Sequence, residues 1–190
     1  GTTVFGVYYK LQSFIIMPIF GINNALLAIC AYNYGARQPK RITGTIRCGV
    51  LAASTLMLLG MAVFELIPGK LLGFFNADEA MLRVGVPALR ILATHFLLAG
   101  ASVIFSGAFQ GLGKSVYSMY VSLARQLIVL IPAAFLLSMQ GNIDLVWLSF
   151  PIAEAASLTL SALLLGRLNR KMIRPLEKTA ENPLANPAET

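Results

Sequence analysis

The most restrictive feature of this sequence is a run of 26 consecutive uncharged residues, Leu11 to Ala36, which lies between Lys10 and Arg37. A helix of about 20 apolar residues crosses the hydrocarbon core of a bilayer, so this run is long enough to span it. The composition of the 190-residue chain agrees, because 57% of the residues are hydrophobic, only 12% are charged and the mean hydropathy is +0.73. Soluble domains have about a quarter of their residues charged. The chain is therefore predicted to be an integral membrane protein.

Four further apolar segments follow the first one, and charges or turn residues separate them. We predict an all-α transmembrane bundle over residues 1–166, with spans at about residues 4–34, 48–67, 84–111, 116–139 and 145–165. A basic linker is predicted over residues 35–47, and a short amphipathic helix at the membrane interface over residues 70–83. Residues 167–190 are predicted to form a cytoplasmic tail, which is basic at first and disordered from about Thr179 onwards.

The basic residues are distributed unevenly between the two sides of this layout. Ten fall on one side: Arg37, Lys40, Arg41, Arg47, Lys114, Arg167, Arg170, Lys171, Arg174 and Lys178. Only Lys70 and Arg83 fall on the other. The positive-inside rule places the larger group in the cytoplasm, which predicts a multi-pass inner-membrane protein with a cytoplasmic C-terminus. Because the basic residues occur in short loop clusters, nucleic-acid binding is not indicated. Five spans are an odd-numbered set, and we expect further chain before Gly1 in the natural protein.

Polar residues and a helix breaker interrupt the first span near its middle. With a rise of 1.5 Å per residue, Asn23 and Asn24 lie roughly 17 Å from the cytoplasmic end, close to the midplane. Lipid offers a carboxamide no partner, so these side chains either bond to neighbouring helices or line a water-filled cavity. Pro18 favours the cavity, because discontinuous helices mark the binding sites of transporters. Gln12, Pro18, Asn23 and Asn24 are therefore candidate substrate-cavity residues.

Two opposite charges occur at similar depth in the last two spans. Arg125 lies roughly 15 Å and Glu154 roughly 18 Å from the cytoplasmic ends of their helices. A charge at that depth costs at least about 2.5 kcal/mol, so we expect the two to pair. The pair either fixes the packing of the helices or opens and exchanges protons during transport; the remaining alternative is that the two side chains never meet. Serines continue both faces at helical spacing: Ser118 and Ser122 before Arg125, and Ser157 and Ser161 after Glu154.

Close helix packing is predicted at Gly107 and Gly111. Two glycines four residues apart form a small-residue face that lets another helix approach closely. We expect this face to pack against a neighbouring span.

Chemistry of other kinds is not indicated. His95 has no second His or Cys nearby in the sequence, so it is predicted to be a packing residue rather than a metal ligand. Cys30 and Cys48 are likewise interpreted as packing residues. The segment Gly111–Ser115 is similar to the end of a phosphate-binding loop, but it lacks the upstream glycine and a preceding strand. We expect neither an enzyme nor a bound cofactor.

Three stretches of the chain resemble the multidrug and toxic compound extrusion (MATE) transporters. They are Tyr9–Arg37 with its AYNYGAR ending, Phe109–Ser115 followed by Arg125-Gln126, and Phe150–Glu154. The resemblance extends over about residues 4–168 and is strongest to the bacterial DinF-type branch. It implies that the five spans are the last five of twelve and form most of one six-helix lobe of a two-lobe transporter. The other lobe would then be this chain's partner.

The resemblance also implies an activity. Members export amphipathic or cationic drug-like compounds across the bilayer in exchange for Na⁺ or H⁺ by alternating access. Some members carry an acidic cation-binding residue in the helix that matches the third span, but residues 84–111 contain no Asp or Glu. The coupling-ion site is therefore expected outside this chain, which alone should not transport.

Other functions remain open from the sequence. A flippase for lipid-linked oligosaccharides has a similar helix plan and would require several cationic residues facing the cavity, of which Arg125 is the one candidate. A membrane-embedded enzyme would need a clustered His or acidic site. A non-transporting assembly subunit would follow if the natural chain began at Gly1.

Overall fold

The computed structural model describes residues 2–181, and every regular element in this range is helical. The α-helices are α1 (Thr2–Gly35), α2 (Pro39–Leu66), α3 (Pro68–Gly73), α4 (Glu79–Ala93), α5 (Phe96–Gly111), α6 (Ser115–Leu123), α7 (Ile131–Ser138), α8 (Ile143–Trp147), α9 (Ser149–Leu168) and α10 (Arg174–Glu181). Two π-helical segments, Ala124–Leu130 and Asn169–Ile173, join α6 to α7 and α9 to α10. The predicted all-α fold class is confirmed.

Four helical stretches in the described part of the chain are long and apolar enough to cross a membrane: Thr3–Gly35, Pro39–Leu66, Ser115–Ser138 and Ile143–Glu181. Helices α4 and α5 are separated by a bend of 44°. If the two are counted together as one span, the chain has a fifth span. The chain is therefore a multi-pass membrane protein with up to five spans.

The predicted linker over residues 35–47 is helical for most of its length. Helix α2 begins at Pro39, so only Ala36 to Gln38 connect it to α1. Proline suits the first turn of a helix because its missing N–H has no partner there in any case. The 28 residues of α2 measure about 42 Å, so its basic first turns extend beyond a hydrocarbon core of about 30 Å.

The predicted interfacial helix over residues 70–83 is wrong, because the segment contains a break. Helix α3 ends at Gly73, and the side chain of Asp78 caps α4 by accepting a hydrogen bond from the Met81 amide at 2.7 Å. An N-cap of this kind satisfies one of the free amides at the start of a helix, and therefore fixes the start of α4.

The third span is broken at Thr94 and His95, whereas the first span is not. Helix α1 runs without interruption through Pro18, which is exposed on its surface. The proline removes one backbone donor, and the long helix retains its course on either side. The broken helix that the sequence suggested is thus found one hairpin later in the chain.

The basic segment that follows α9 is helical. The chain continues through Asn169–Ile173 into α10, so the predicted disorder is wrong for residues 179–181, and residues 182–190 lie outside the described range. Leu176 and Thr179 share a pocket with Tyr34 and Arg37 at the end of α1. Helix α10 therefore returns to the end of the bundle at which α1 finishes and α2 begins.

Helix α5 packs closely against α1 and α2, and its glycines make this possible. A Cβ atom on Gly111 would lie 2.9 Å from the backbone oxygen of Leu27, and one on Gly107 would overlap the side chain of Asn23. The predicted small-residue face is confirmed, with α1 as its neighbour.

Aromatic side chains fill the opposite end of the bundle. The rings of Phe64 and Phe96 meet edge to face with their centroids 4.9 Å apart. The ring of Phe5 stacks on that of Trp147 with a centroid distance of 6.0 Å. Such pairs contribute about 0.5–1.5 kcal/mol beyond the area they bury. This cluster joins the ends of α1, α2, α5 and α8.

Candidate functional site

The centre of the candidate site is an ion pair between two membrane-spanning helices. Nη1 of Arg125 donates a hydrogen bond to Oε2 of Glu154 at 2.8 Å. This is the only ion pair found among residues 2–181. The carboxylate side chain is only 4% exposed, whereas the side chain of Arg125 is 38% exposed. The pair therefore joins a fully buried anion to a cation that also faces open space.

The backbone at Arg125 is unusual. It is the second residue of the π-helical segment Ala124–Leu130, in which the helix is wider than elsewhere. Single π turns inside α-helices occur frequently at functional sites, because the extra residue changes the direction of nearby side chains. Here the segment packs against α9, which carries Glu154.

A polar cavity of about 340 Å³ lies on one side of the ion pair. Its polar lining consists of Gln12, His95, Ser102, Ser106, Ser118, Ser122, Arg125, Glu154, Ser157 and Ser161. The hydroxyl groups of Ser106 and Ser118 bond to each other across α5 and α6, and the hydroxyl of Ser102 is buried with no hydrogen-bond partner among residues 2–181. A cavity of this size and polarity has room for several water molecules or part of a ligand.

A second cavity of about 360 Å³ lies beside the first, toward the aromatic end. Four residues line both cavities, and we call them the polar layer: Gln12, His95, Arg125 and Glu154. The polar layer therefore separates the two cavities and brings together α1, the break between α4 and α5, the π segment and α9.

His95 lies at the break in the third span and is held on all sides. Its Nδ1 is bonded to the backbone oxygen of Leu92, which can only accept, so Nδ1 carries the proton in this arrangement. Nε2 of a neutral imidazole is then an acceptor, and it lies 3.2 Å from Oη of Tyr8 and 3.3 Å from Nε2 of Gln12. These bonds tie α1 to the bend.

The four candidate cavity residues of the first span occupy different environments. Gln12 lines both cavities. Asn23 is buried against Gly107, and its Oδ1 has no hydrogen-bond partner in the described part of the chain. Pro18 and Asn24 are exposed on the surface of α1 and line neither of these two cavities.

The depth calculation from the sequence grouped the side chains differently. It placed Asn23 and Asn24 level with Arg125 and Glu154, and Gln12 nearer the outer end. In the structure, Gln12 lines the same two cavities as the ion pair instead. A depth estimate that assumes straight helices ignores helix tilt, the 44° bend and the π segment. Each of these shifts residues along the membrane normal.

Sequence analysis missed the contribution of α5 and of Tyr8. Ser102 and Ser106 are four residues apart on an otherwise apolar helix, a spacing that could have indicated a polar face. No local signal marked Tyr8 as a partner of His95, because they are 87 residues apart.

Long apolar helices around an internal ion pair and two cavities define a polytopic membrane protein. The MatE family model matches residues 2–136, and the chain belongs to this family.

Several curated proteins are similar to the chain. It is 25% identical over 161 residues to the probable multidrug resistance protein YoeA of Bacillus subtilis, covering 84% of this chain and 35% of that protein. It is also 25% identical over 152 residues to the multidrug export protein MepA of a Staphylococcus aureus strain, covering 80% and 33%. The chain thus spans about a third of the length of these relatives.

Solved structures show the same fold. The MATE multidrug transporter DinF-BH, determined in complex with R6G, matches with a TM-score of 0.80 and 36% identity over 90% of this chain and 38% of that one. An inward-facing MATE family transporter of the MOP superfamily matches with a TM-score of 0.81 and 22% identity over 93% and 40%.

Proposed function

We propose that this chain forms most of one lobe of a multidrug efflux antiporter. The complete transporter would export amphipathic or cationic organic compounds in exchange for Na⁺ or H⁺ by alternating access, without catalysing a chemical reaction. Membership of the MatE family and similarity to two proteins named for multidrug resistance or export support this proposal. The chain would work with a partner lobe, which it would face across a central substrate pathway.

The observation that carries the proposal is the polar layer inside the bundle. Burying Glu154 among membrane-spanning helices is costly, and ionisable residues at such positions usually serve a pathway for solutes or ions. Two cavities adjoin the layer, and serines line one of them. A helix bundle that served only as an anchor would gain nothing from such cavities.

Within this function, the Arg125–Glu154 pair has a structural role in our proposal. It joins the π segment to α9 and keeps the buried carboxylate neutralised, so that the cavities keep their shape while the lobe moves as a body. The coupling-ion site would lie outside this chain, because the third span carries no acidic residue between Val84 and Gly111.

We further propose a location in the plasma (inner) membrane with the C-terminus in the cytoplasm. Helix α10 and the start of α2 meet at one end of the bundle, which brings most of the ten basic residues together there. The positive-inside rule assigns such an end to the cytoplasm.

A lipid-linked oligosaccharide flippase is less well supported. Pyrophosphate-bearing cargo would require unpaired cations toward the cavity, and the lining cation Arg125 is bound to Glu154. The neutralised pair is better suited to neutral or cationic compounds.

Dye efflux tests the proposal. The natural gene product is expressed in bacteria that lack their own efflux pumps. It should lower the accumulation of a fluorescent amphipathic cation in these cells. A matched strain carrying Gln12→Leu should accumulate more dye than wild type at equal membrane abundance, because Gln12 belongs to the polar layer. Equal accumulation with and without the protein, across several amphipathic cations, would contradict the proposal.

A further inference from the structure

A groove of about 380 Å³ runs between α2 and the end of α9 at the basic end of the bundle. Its floor and walls are mainly apolar, with Leu51, Phe105 and Leu165 furthest from that end. Polar groups lie at the other extremity, where Arg47 and Asn169 contribute to the lining. The groove is therefore amphipathic along its length.

Arg47, the cation in the groove, has no counter-ion among residues 2–181. Arg47 is exposed. The only ion pair found among residues 2–181 joins Arg125 to Glu154 and does not include Arg47. Arg170 is exposed and directly follows Asn169, which lines the groove. The side chain of Arg47 thus lines the polar extremity of an otherwise apolar groove, and a second arginine is adjacent to that extremity in the sequence.

The polar and apolar parts of the groove match the depths of the headgroups and acyl chains of a membrane. Leu51 lies one turn, about 6 Å, deeper along α2 than Arg47. Arginine at the cytoplasmic interface meets lipid headgroups, whereas residues one or two turns deeper meet acyl chains. Basic pockets between transmembrane helices on the cytoplasmic side bind anionic lipid headgroups for this reason.

We propose that this groove binds one anionic phospholipid. Its phosphate would be bound by Arg47 and Arg170, whose planar guanidinium groups match phosphate geometry, and an acyl chain would pack against Leu51 and Phe105. The apolar floor favours a lipid over free phosphate, which has no use for it. This inference concerns a surface separate from the polar layer and does not depend on the transport proposal.

Native mass spectrometry of the purified protein tests the site. The probes are phosphatidylglycerol and phosphatidylcholine with identical acyl chains, added to the protein in detergent. We expect phosphatidylglycerol to bind more tightly, and Arg47→Gln to weaken it about fivefold, as expected for one basic residue at a lipid surface. Arg170→Gln should give a similar loss and serves as a second variant if Arg47→Gln fails to fold.

Two controls make the test specific. Arg41→Gln removes the same charge from another face of α2 at the same end, and should leave the affinity unchanged. Leu51→Trp should fill the groove and weaken phosphatidylglycerol binding without unfolding the protein, since Leu51 is 64% exposed.

Three results would overturn the proposal. They are equal binding of the two lipids, equal losses in Arg41→Gln and Arg47→Gln, and a Leu51→Trp variant that binds phosphatidylglycerol like wild type.

Discussion

At the residue scale, the two members of the ion pair differ in how well each tolerates loss of the other. Glu154 is almost completely buried, whereas part of the Arg125 guanidinium faces the cavities. An unpaired buried charge costs more than one that water can reach. The pair is therefore asymmetric, although each side chain makes the same hydrogen bond.

We predict that Arg125→Leu destabilises the protein more than Glu154→Leu does. The first leaves a buried carboxylate without a partner, which costs about 3–5 kcal/mol. The second leaves an arginine that can be hydrated from the cavity. Thermal unfolding in detergent, followed for both variants and for Arg41→Leu as the exposed control, measures the order.

The double variant tests the role of the pair. Arg125→Leu with Glu154→Leu should recover most of the lost stability and should still export dye, because two apolar side chains replace two mutually dependent charges. A double variant that folds but no longer transports would instead mean that the pair takes part in the transport cycle.

A second residue-scale prediction concerns Tyr8. Tyr8→Phe removes the hydroxyl group that lies 3.2 Å from Nε2 of His95 and keeps the ring in place. We expect a loss of about 1 kcal/mol in the free energy of unfolding, the usual net value of one hydrogen bond. Tyr9→Phe is the matched control, because Tyr9 is 62% exposed. Equal effects of the two substitutions would show that the buried bond contributes nothing.

Sequence reasoning reached some of these residues and not others for a physical reason. Charges inside apolar segments are visible in the sequence, so Arg125 and Glu154 could be named and expected to meet. Asn23 was equally visible, but its environment depended on Gly107 in another helix, 84 positions later. A polar residue in a span can be noticed from the sequence, whereas its neighbours depend on how the helices pack.

At the element scale, the contact between α1 and α5 is set by two glycines. Gly107 and Gly111 leave no space for a methyl group, since Asn23 and the Leu27 backbone occupy it. Backbone atoms yield less readily than a flexible side chain. The two positions should therefore respond differently to the same substitution.

We predict that Gly107→Ala and Gly111→Ala both destabilise the bundle, by about 1–3 kcal/mol as is typical of overpacking. Shortening the opposing side chain with Asn23→Ala should relieve Gly107→Ala but not Gly111→Ala, which meets backbone. Gly21→Ala in α1 is the matched control, because nothing lies within 4 Å of the added methyl group. Additive effects in the pair Asn23→Ala with Gly107→Ala would contradict this account of the contact.

Element boundaries followed the hydropathy of the sequence only in part. The apolar centres of the spans were predictable, because the bilayer requires them. The helical structure of the basic first turns of α2 and of the basic segment after α9 was not predicted, since a helix that leaves the membrane loses its apolar signal but not its hydrogen bonds. The bend at Thr94–His95 has no glycine or proline at the break and could not be located in advance.

At the scale of the whole molecule, the two ends of the bundle differ in character. One end is basic, and the other holds the aromatic cluster. This difference underlies the proposed orientation, and an exposed glutamine is available at each end: Gln38 between α1 and α2, and Gln140 after α7.

Cysteine labelling checks the orientation. In a protein with Cys30 and Cys48 replaced by Ser, Gln140→Cys should react with a membrane-impermeant maleimide in intact cells. Gln38→Cys should react only after the membrane is opened. The reverse pattern would place the basic end outside and would contradict the positive-inside argument.

The central claim is that the chain belongs to an ion-driven drug exporter, and the most direct test is transport in inside-out membrane vesicles. Vesicles that contain the natural gene product should accumulate a fluorescent amphipathic cation when a proton or sodium gradient is applied. Uptake should collapse when the matching gradient is dissipated by an ionophore, and the responsive gradient identifies the coupling ion. Vesicles that contain the folded protein but accumulate no dye under either gradient, across a panel of amphipathic cations, would contradict the account.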